Sequence, residues 1–561
     1  MTERSAPRHA PWLVLAIVCL PVFIGALDLT IISAVLPEVI VSLDLPVKEY
    51  LDQASWAVSG YLLAYAISMT FAGRLSDLFG RRVVYMTCLL IFMVGSYLVT
   101  AYDSPALNSA IARFYRQVLG ETPPRLEERY LYLVIFGRVV QAFGAGAMVP
   151  VTIALVGDLF PPERRARPLG VVGAVDTLGW VLGHLYGGVM VHLFGQHGDA
   201  VVDAFAGLGL SIAKPSWETL FLLNIPISAL ALVGAWWVLR GVHRPRRTER
   251  FDVLGTLFLS LALIGLNLGL GANPETAGTA GSFEDLGRTA SRHGLPLLVG
   301  AALAFLLFLL VESRVKYPLI RLGMFRSRNV SASSITNFLV GFCLAIGLVS
   351  APLLVNFRMD SPTSSEVQHA AYTAGLLLSG LTVPMALAAV PGGWLSDRFG
   401  YRLPTVLGLL IAGAGFVLTG ATWESDTSYW LMGAQMTVIG VGLGLTISPV
   451  GTAVINDVTE RERGSAAALI LILRLVGMTI AISSLTIFAL QRFDVLVAGY
   501  MASATASLEE TLLASQTANL EAAVDVIGEL QFVGAGATLI ALGAALLMRG
   551  GRSARQDASP A

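Results

Sequence analysis

Four charged side chains lie inside long apolar stretches of the sequence: Asp28, Arg138, Asp176 and Arg474. A charge at the centre of a bilayer is disfavoured by ~2.5–3.5 kcal/mol on insertion scales, so each is a functional candidate by default. Asp28 falls about eight residues before the outer end of the first apolar stretch, and Arg138 about eight after the outer start of the fourth, which at ~1.5 Å per residue puts both about 12 Å inside the boundary. Matching depths allow an ion pair. A carboxylate whose proton is governed by an adjacent arginine is the chemistry of proton coupling; a static pair that locks two helices is the alternative. The spacing between Asp176 and Arg474 also separates Arg165 from Arg463 and Gly179 from Gly477, so the two occupy equivalent places in a duplicated chain, near the midplane. Asp176 joins Asp28 and Arg138 as a proton-coupling candidate. Arg474 is a candidate for a substrate cavity, with a local polar contact as the alternative for each.

Trp180, Tyr186, Phe143 and Tyr61 are aromatic candidates for lining an apolar cavity, against ordinary helix packing. His184, His192 and His197 share no tight spacing with a carboxylate, so no metal site is expected. His184 remains a candidate pH-sensitive group on a glycine-rich face. GxxxxGK[ST] is absent, and no nucleophile–base signature stands out. The expectation is a protein that is not an enzyme and needs no cofactor.

A ten-residue polar loop occurs twice, as GRLSDLFGRR at Gly73–Arg82 and GWLSDRFGYR at Gly393–Arg402, identical at seven positions. Gly73 and Gly80 suit a tight turn. Asp77 is placed for a neighbouring helix N-terminus or for Arg81, and Asp158 for a second pair with Arg81. Asp397 is the second-copy equivalent of Asp77. Tyr401 stands where the first copy has Arg81, so Asp397 is expected to matter less.

These residues need a membrane to position them. Of 561 residues 55% are hydrophobic and only 13% charged, with a mean hydropathy of +0.70, which marks an integral membrane protein. A net charge of −1 gives no reason to expect nucleic acid. Cys19, Cys88 and Cys343 all fall in apolar stretches and build no disulfide framework. Windows of about 20 apolar residues predict about fourteen helical spans, near 12–36, 54–73, 83–102, 131–158, 168–194, 218–240, 252–271, 295–312, 330–355, 372–394, 403–421, 429–450, 464–490 and 529–548. An even number puts both termini on one side, and the arginine-rich loops (Arg164, Arg165, Arg167; Arg244, Arg246, Arg247, Arg250) make that side cytoplasmic. An insert at 103–130 carries Leu107, Ala110, Ile111, Phe114 and Val118 at helical spacing, an amphipathic helix for the outer surface. The outer loop at 491–528 looks helical and acidic, and the connection at 272–294 has a flexible composition. The two polar loops lie eight spans apart, so the predicted order is six spans, two extra, then six.

The repeated loop resembles the hallmark of the major facilitator superfamily, and within it the chain resembles the 14-span drug:proton antiporters over about residues 12–550. LDLT at Leu27–Thr30 is similar to that family's first-span motif, FGRVVQAFGAG at Phe136–Gly146 to its fourth-span motif, and RLVG at Arg474–Gly477 to its span-thirteen pattern. FLLNIPI (Phe221–Ile227) and FDVLG (Phe251–Gly255) match patterns flanking spans six and seven. The fifth-span motif departs: it reads GWVLGHLYGG at Gly179–Gly188, with His184 where the family has proline.

The resemblance implies an all-α integral membrane protein of major facilitator fold, two six-helix bundles plus two extra central helices. The halves would be 1–240 and 329–561, with the central spans in 241–328. It implies a monomeric, proton-coupled secondary transporter of the multidrug-efflux type, in the cell membrane with both termini cytoplasmic. Its partners would be protons, lipid bilayer and a hydrophobic or cationic small-molecule substrate exported by alternating access. Gly73, Asp77, Gly80, Arg81, Asp158 and Asp397 would form a conformational latch, and Trp180, His184 and Arg474 would face the substrate. Export of an endogenous metabolite, lipid or peptide is the alternative within transport; a non-transporting membrane sensor is the alternative outside it.

Overall fold

The structure is a computed structural model that describes residues 10–207, 214–240, 250–271, 282–283, 294–359, 364–501 and 508–549. Among these every regular element is a helix. In chain order they are α1 (Pro11–Ser42), α2 (Val47–Ala54), α3 (Trp56–Phe79), α4 (Arg81–Thr100), α5 (Pro105–Phe114), α6 (Leu126–Leu159), α7 (Ala166–Gly207) and α8 (Trp217–Val238). There follow α9 (Val253–Leu270), α10 (Gly294–Arg314), α11 (Arg328–Phe357), α12 (Ser364–Phe399), α13 (Arg402–Thr422), α14 (Tyr429–Asp457), α15 (Arg463–Met501) and α16 (Leu508–Leu546). Thirteen described helices are long and apolar enough to cross a membrane. The remaining long helix, α7 with 42 residues, follows the fifth expected span. The fold is the all-α membrane architecture expected. Each helix satisfies its own backbone groups, which lipid cannot.

The chain packs as two compact units. One holds Met1–Thr152 and Leu178–Thr248; the other holds Ile153–Thr177 and Glu249–Ala561. The arginine-rich ends of α6 and α7 thus belong with α9–α16. The turns that close the two polar loops have one geometry. Gly80 (φ 94°) ends α3 and Gly400 (φ 85°) ends α12, a backbone region that L side chains rarely adopt.

Several elements exceed what hydropathy windows detect. α15 and α16 have 39 residues each, roughly 58 Å against a hydrocarbon core of about 30 Å. The expected acidic loop at 491–528 is therefore mostly two helix extensions. Arg492 grips both oxygens of Glu529 across them (2.9 and 3.0 Å from Nε), and Tyr500 donates to Asp525 (2.6 Å). α2 is a short helix that the apolar windows missed. The insert at 103–130 contains α5, which buries Asn108 and Ala112 against the protein while Phe114, Val118 and Leu119 face outward, an orientation suited to a bilayer surface. The connection expected at 272–294 lies mostly outside the described residues. Phe283, which is described, is buried against Phe357 and Phe493, 5.4 Å from each ring.

The burial pattern selects the positions that report topology. Asn108 donates to the Tyr102 and Ser104 carbonyls and is a poor labelling site, whereas Ala110 and Glu163 are exposed. Single cysteines at Ala110 and Glu163 should react with impermeant maleimide from opposite faces of the membrane, Ala110 in intact cells and Glu163 only in inside-out vesicles. Labelling of both from one face would overturn the arginine-based orientation.

Candidate functional site

The first site lies wholly within the first unit. LDLT places Asp28 in the middle of α1, and FGRVVQ places Arg138 on the inward face of α6; both side chains are completely buried. Arg138 Nη1 donates to Asp28 Oδ2 (2.5 Å) and to Gln141 Oε1 (2.7 Å), while Nη2 donates to the Asp28 carbonyl (3.0 Å). The other carboxylate oxygen accepts from Asn224 Nδ2 of α8 (2.8 Å). Gln141 passes the network on to Ser96 of α4 (2.8 Å). The Tyr61 ring of α3 lies 3.9 Å from the guanidinium carbon, and the Tyr61 hydroxyl donates to the Gly25 carbonyl (3.1 Å). Five helices converge on one ion pair.

The depth argument pairs Asp28 with Arg138, and the geometry joins them. Asn224 and Gln141 carry no charge, so nothing in an insertion-cost argument singles them out. Their only signal is their place inside the quoted FLLNIPI and FGRVVQ motifs.

The glycines of the altered fifth-span motif serve the same site. A Cβ at Gly183 would overlap Thr30 Oγ1 and the Leu27 carbonyl, and one at Gly179 would come within 2.7 Å of the Phe23 carbonyl. α7 therefore lies directly on the turn of α1 that bears Asp28. Thr30 fixes the contact by donating to the Trp180 carbonyl (2.9 Å). Trp180 thus meets α1 through its backbone. The side chain of His184 lies outside the described residues.

The second cluster lies within the second unit, at its arginine-rich end. Asp158, at the end of α6, pairs with Arg463 at the start of α15 (2.9 Å). In the first unit, separately from that cluster, Arg81 pairs with Asp77 one turn earlier (2.6 Å) and donates to Ser76. Asp397 accepts from the backbone amides of Ala166 and Arg167 (3.1 Å each), at the N-terminus of α7, where the helix dipole also favours a carboxylate. Ser448 donates to the Ala166 carbonyl. Asn456 connects the rest: it accepts from Arg165 (2.8 Å) and donates to the Pro162 carbonyl (3.0 Å) and to the Tyr401 oxygen (2.6 Å). Burial pushes the Tyr401 phenol above its ordinary range, which keeps it neutral. Asp397 therefore holds a helix end where an arginine was looked for, and the expectation that it matters less does not follow from the geometry.

Asp176 and Arg474 belong to this unit too, both half-buried. Their charges attract one another, but Arg474 hydrogen-bonds Asn337 (3.3 and 3.4 Å), and one Asp176 oxygen has no hydrogen-bond partner. Among the described residues no cluster of three metal-ligating side chains occurs.

Residues 18–482 match the profile of the Major Facilitator Superfamily. The chain is 30% identical over 558 residues to a triacylglyceride transporter of Mycolicibacterium smegmatis, covering 97% of this chain and 88% of that one. It is 30% identical over 497 residues to a triacylglyceride transporter of Mycobacterium tuberculosis, covering 86% and 84%. Among solved structures it resembles the human organic anion transporter MFSD10 (TM-score 0.52, 13% identity, 95% and 100% covered). It also resembles the proton:xylose symporter XylE (TM-score 0.52, 14% identity, 94% of each). At these identities the structural likenesses show the fold alone.

Two outcomes follow from the geometry. Asp28→Asn strands a buried guanidinium opposite an amide and should lower stability by ~3–5 kcal/mol, while Asp28→Asn with Arg138→Gln should recover part of that loss. Additive losses in a detergent thermal melt would mean the two side chains are not coupled. Asp397→Asn should weaken the hold on α7 by ~1–2 kcal/mol and reduce transport at least as much as Asp77→Asn, measured in the same vesicles.

Proposed function

We propose that this chain, which belongs to the major facilitator superfamily, moves a neutral lipid of the acylglycerol class out of the cell membrane in exchange for protons. Superfamily membership makes it a multi-pass membrane transporter. The cargo is inferred from the relatives, which are named triacylglyceride transporters and align over nearly the whole chain. They favour the lipid alternative over the hydrophobic or cationic drug.

The observation that carries the coupling is the complete burial of Asp28 under Arg138, Asn224 and Tyr61. A cationic drug would have to displace the guanidinium to reach the carboxylate. A neutral acylglycerol has no charge with which to compete for it. A proton can do what the lipid cannot: it neutralises Asp28, weakens the pair and so shifts the balance between two arrangements of the helices. The contacts of Asp158 and Asp397 hold the arginine-rich ends of α6 and α7 to the second unit, and in this reading they must part for the alternative arrangement to form. Both termini would face the cytoplasm.

Proteoliposomes carrying a labelled triacylglycerol and an imposed pH gradient test the reading. The wild type should redistribute the lipid only while the gradient lasts. Asp28→Asn should abolish gradient-driven redistribution and retain slower downhill movement; Arg138→Lys, which keeps charge but loses the planar fork, should retain part of the coupling. Transport of a cationic dye with no movement of the acylglycerol would favour the drug-efflux reading. Full gradient-driven transport by Asp28→Asn would move the coupling site elsewhere, with Asp176 the next carboxylate to substitute.

A further inference from the structure

We propose that the first unit binds the headgroup of an anionic phospholipid at the arginine-rich ends of α4 and α8. Arg82, on the first turn of α4, and Arg240, just past the end of α8, converge on one indole: their guanidinium carbons lie 5.9 and 3.2 Å from the ring of Trp236. Neither arginine has a carboxylate partner among the described residues. Its neighbour Arg81 differs, being committed to Asp77. Two unneutralised guanidinium groups gathered at one aromatic ring repel each other and form a fixed positive site, which a phosphate satisfies through charge-assisted hydrogen bonds. α4 begins beside them with Gly80, which supplies no side-chain cap, so the positive end of its dipole adds to the same site.

The surroundings select a lipid over a soluble anion. Trp236 and Trp237 are 43% and 45% exposed at the end of a spanning helix, the depth at which indoles meet headgroups. From there an apolar lane runs towards the membrane centre. Leu230, Val233 and Trp237 face outward on α8, and Val83, Leu90 and Val94 on α4, which packs beside it. A phosphate between the arginines would lay its acyl chains along these rows. The second copy of the polar loop gives an internal control. There Arg398 lies over Trp394 (5.6 Å) and Phe399 (5.4 Å), but among the described residues no arginine from a second helix joins it on either ring.

The site is separate from the coupling network and stands whatever the cargo is. Native mass spectrometry of the intact, detergent-solubilised chain tests it with dioleoyl phosphatidylglycerol against dioleoyl phosphatidylcholine. Two arginines near an anionic headgroup support a preference of roughly 30-fold for phosphatidylglycerol. Arg82→Gln and Arg240→Gln should each remove part of that preference, and the double variant nearly all of it, while Arg398→Gln leaves it intact. Equal affinities for the two lipids in the wild type, or a preference that survives the double variant, would overturn the proposal. Displacement of phosphatidylglycerol by millimolar inorganic phosphate would also overturn it, since the site would then be one for soluble anions. If the double variant does not fold, the two single variants decide by the same criterion.

Discussion

Burying an aspartate and an arginine together, without water, is the constraint on which the first unit depends. Each ion loses several kcal/mol of hydration even after relaxation, and mutual attraction offsets this only when the remaining donors and acceptors also find partners. The Asp28–Arg138 pair meets that condition at both carboxylate oxygens and both terminal guanidinium nitrogens, though not at Arg138 Nε, by recruiting α8 through Asn224, α4 through Gln141 and Ser96, and α3 through the Tyr61 ring. No single helix can supply the set. The register of five helices is therefore tied to one pair, and so is the need for glycine where α7 crosses the same turn of α1. A network so completed is also sealed: with both charges at zero exposure, a proton reaches Asp28 only if helices separate. On the proposed reading, the same bonds that make the pair tolerable would make its protonation a conformational event.

The duplicated loop, with one copy in each unit, solves a different problem. In both copies a glycine at positive φ reverses the chain between two spans and leaves an aspartate one turn before it. The partners then diverge. Asp77 bonds to Arg81 on the following helix, whereas Asp397 bonds to the backbone amides that open α7. A helix N-terminus offers donors and a partial positive charge without any basic side chain, so loss of the arginine in the second copy need not weaken the aspartate. Tyr401 takes a separate role beneath Asn456, which also draws in Arg165.

These details mark where sequence reasoning succeeds and stops. Span number and the pairing of Asp28 with Arg138 are legible because both rest on one quantity, the energetic penalty of polar groups in hydrocarbon, which a linear sequence displays directly. Asn224 and Gln141 are hidden from that argument, being neutral. α2 is hidden because it is short and lies outside the apolar windows, whereas the Pro105–Phe114 helix is legible from the helical spacing of its apolar residues. The helical character of 491–528 is legible, but its continuity with α15 and α16 is not, because hydropathy sees the apolar stretch and not the helix that continues past it. For Asp158 the sequence suggests Arg81 as a partner, and the structure shows a pair with Arg463. Arg463 lies 305 residues away in the chain, so only tertiary packing shows that bond. Cargo is a further step removed, since a neutral lipid leaves no charged signature among the residues that would meet it.

If the cargo is the neutral lipid proposed, that neutrality bears on how the buried pair would work. With a neutral cargo, one proton exchanged across ~100 mV and one pH unit supplies about 3.7 kcal/mol in all. Breaking a buried ion pair outright and leaving one charge bare is disfavoured by ~3–5 kcal/mol, which would absorb the whole driving force. The surrounding bonds reduce that demand. When Asp28 takes a proton, Arg138 still donates to Gln141 and to the Asp28 carbonyl, and the Tyr61 ring still covers its guanidinium. Asn224 can still donate to the neutral carboxyl oxygen it already holds. Only the charged bond from Nη1 to Oδ2 is weakened, so the guanidinium is never left without acceptors. On the proposed reading, Gln141 and Asn224 thereby bring the penalty of neutralising Asp28 within reach of a single proton, and an ion pair that would otherwise be a lock would serve as a switch.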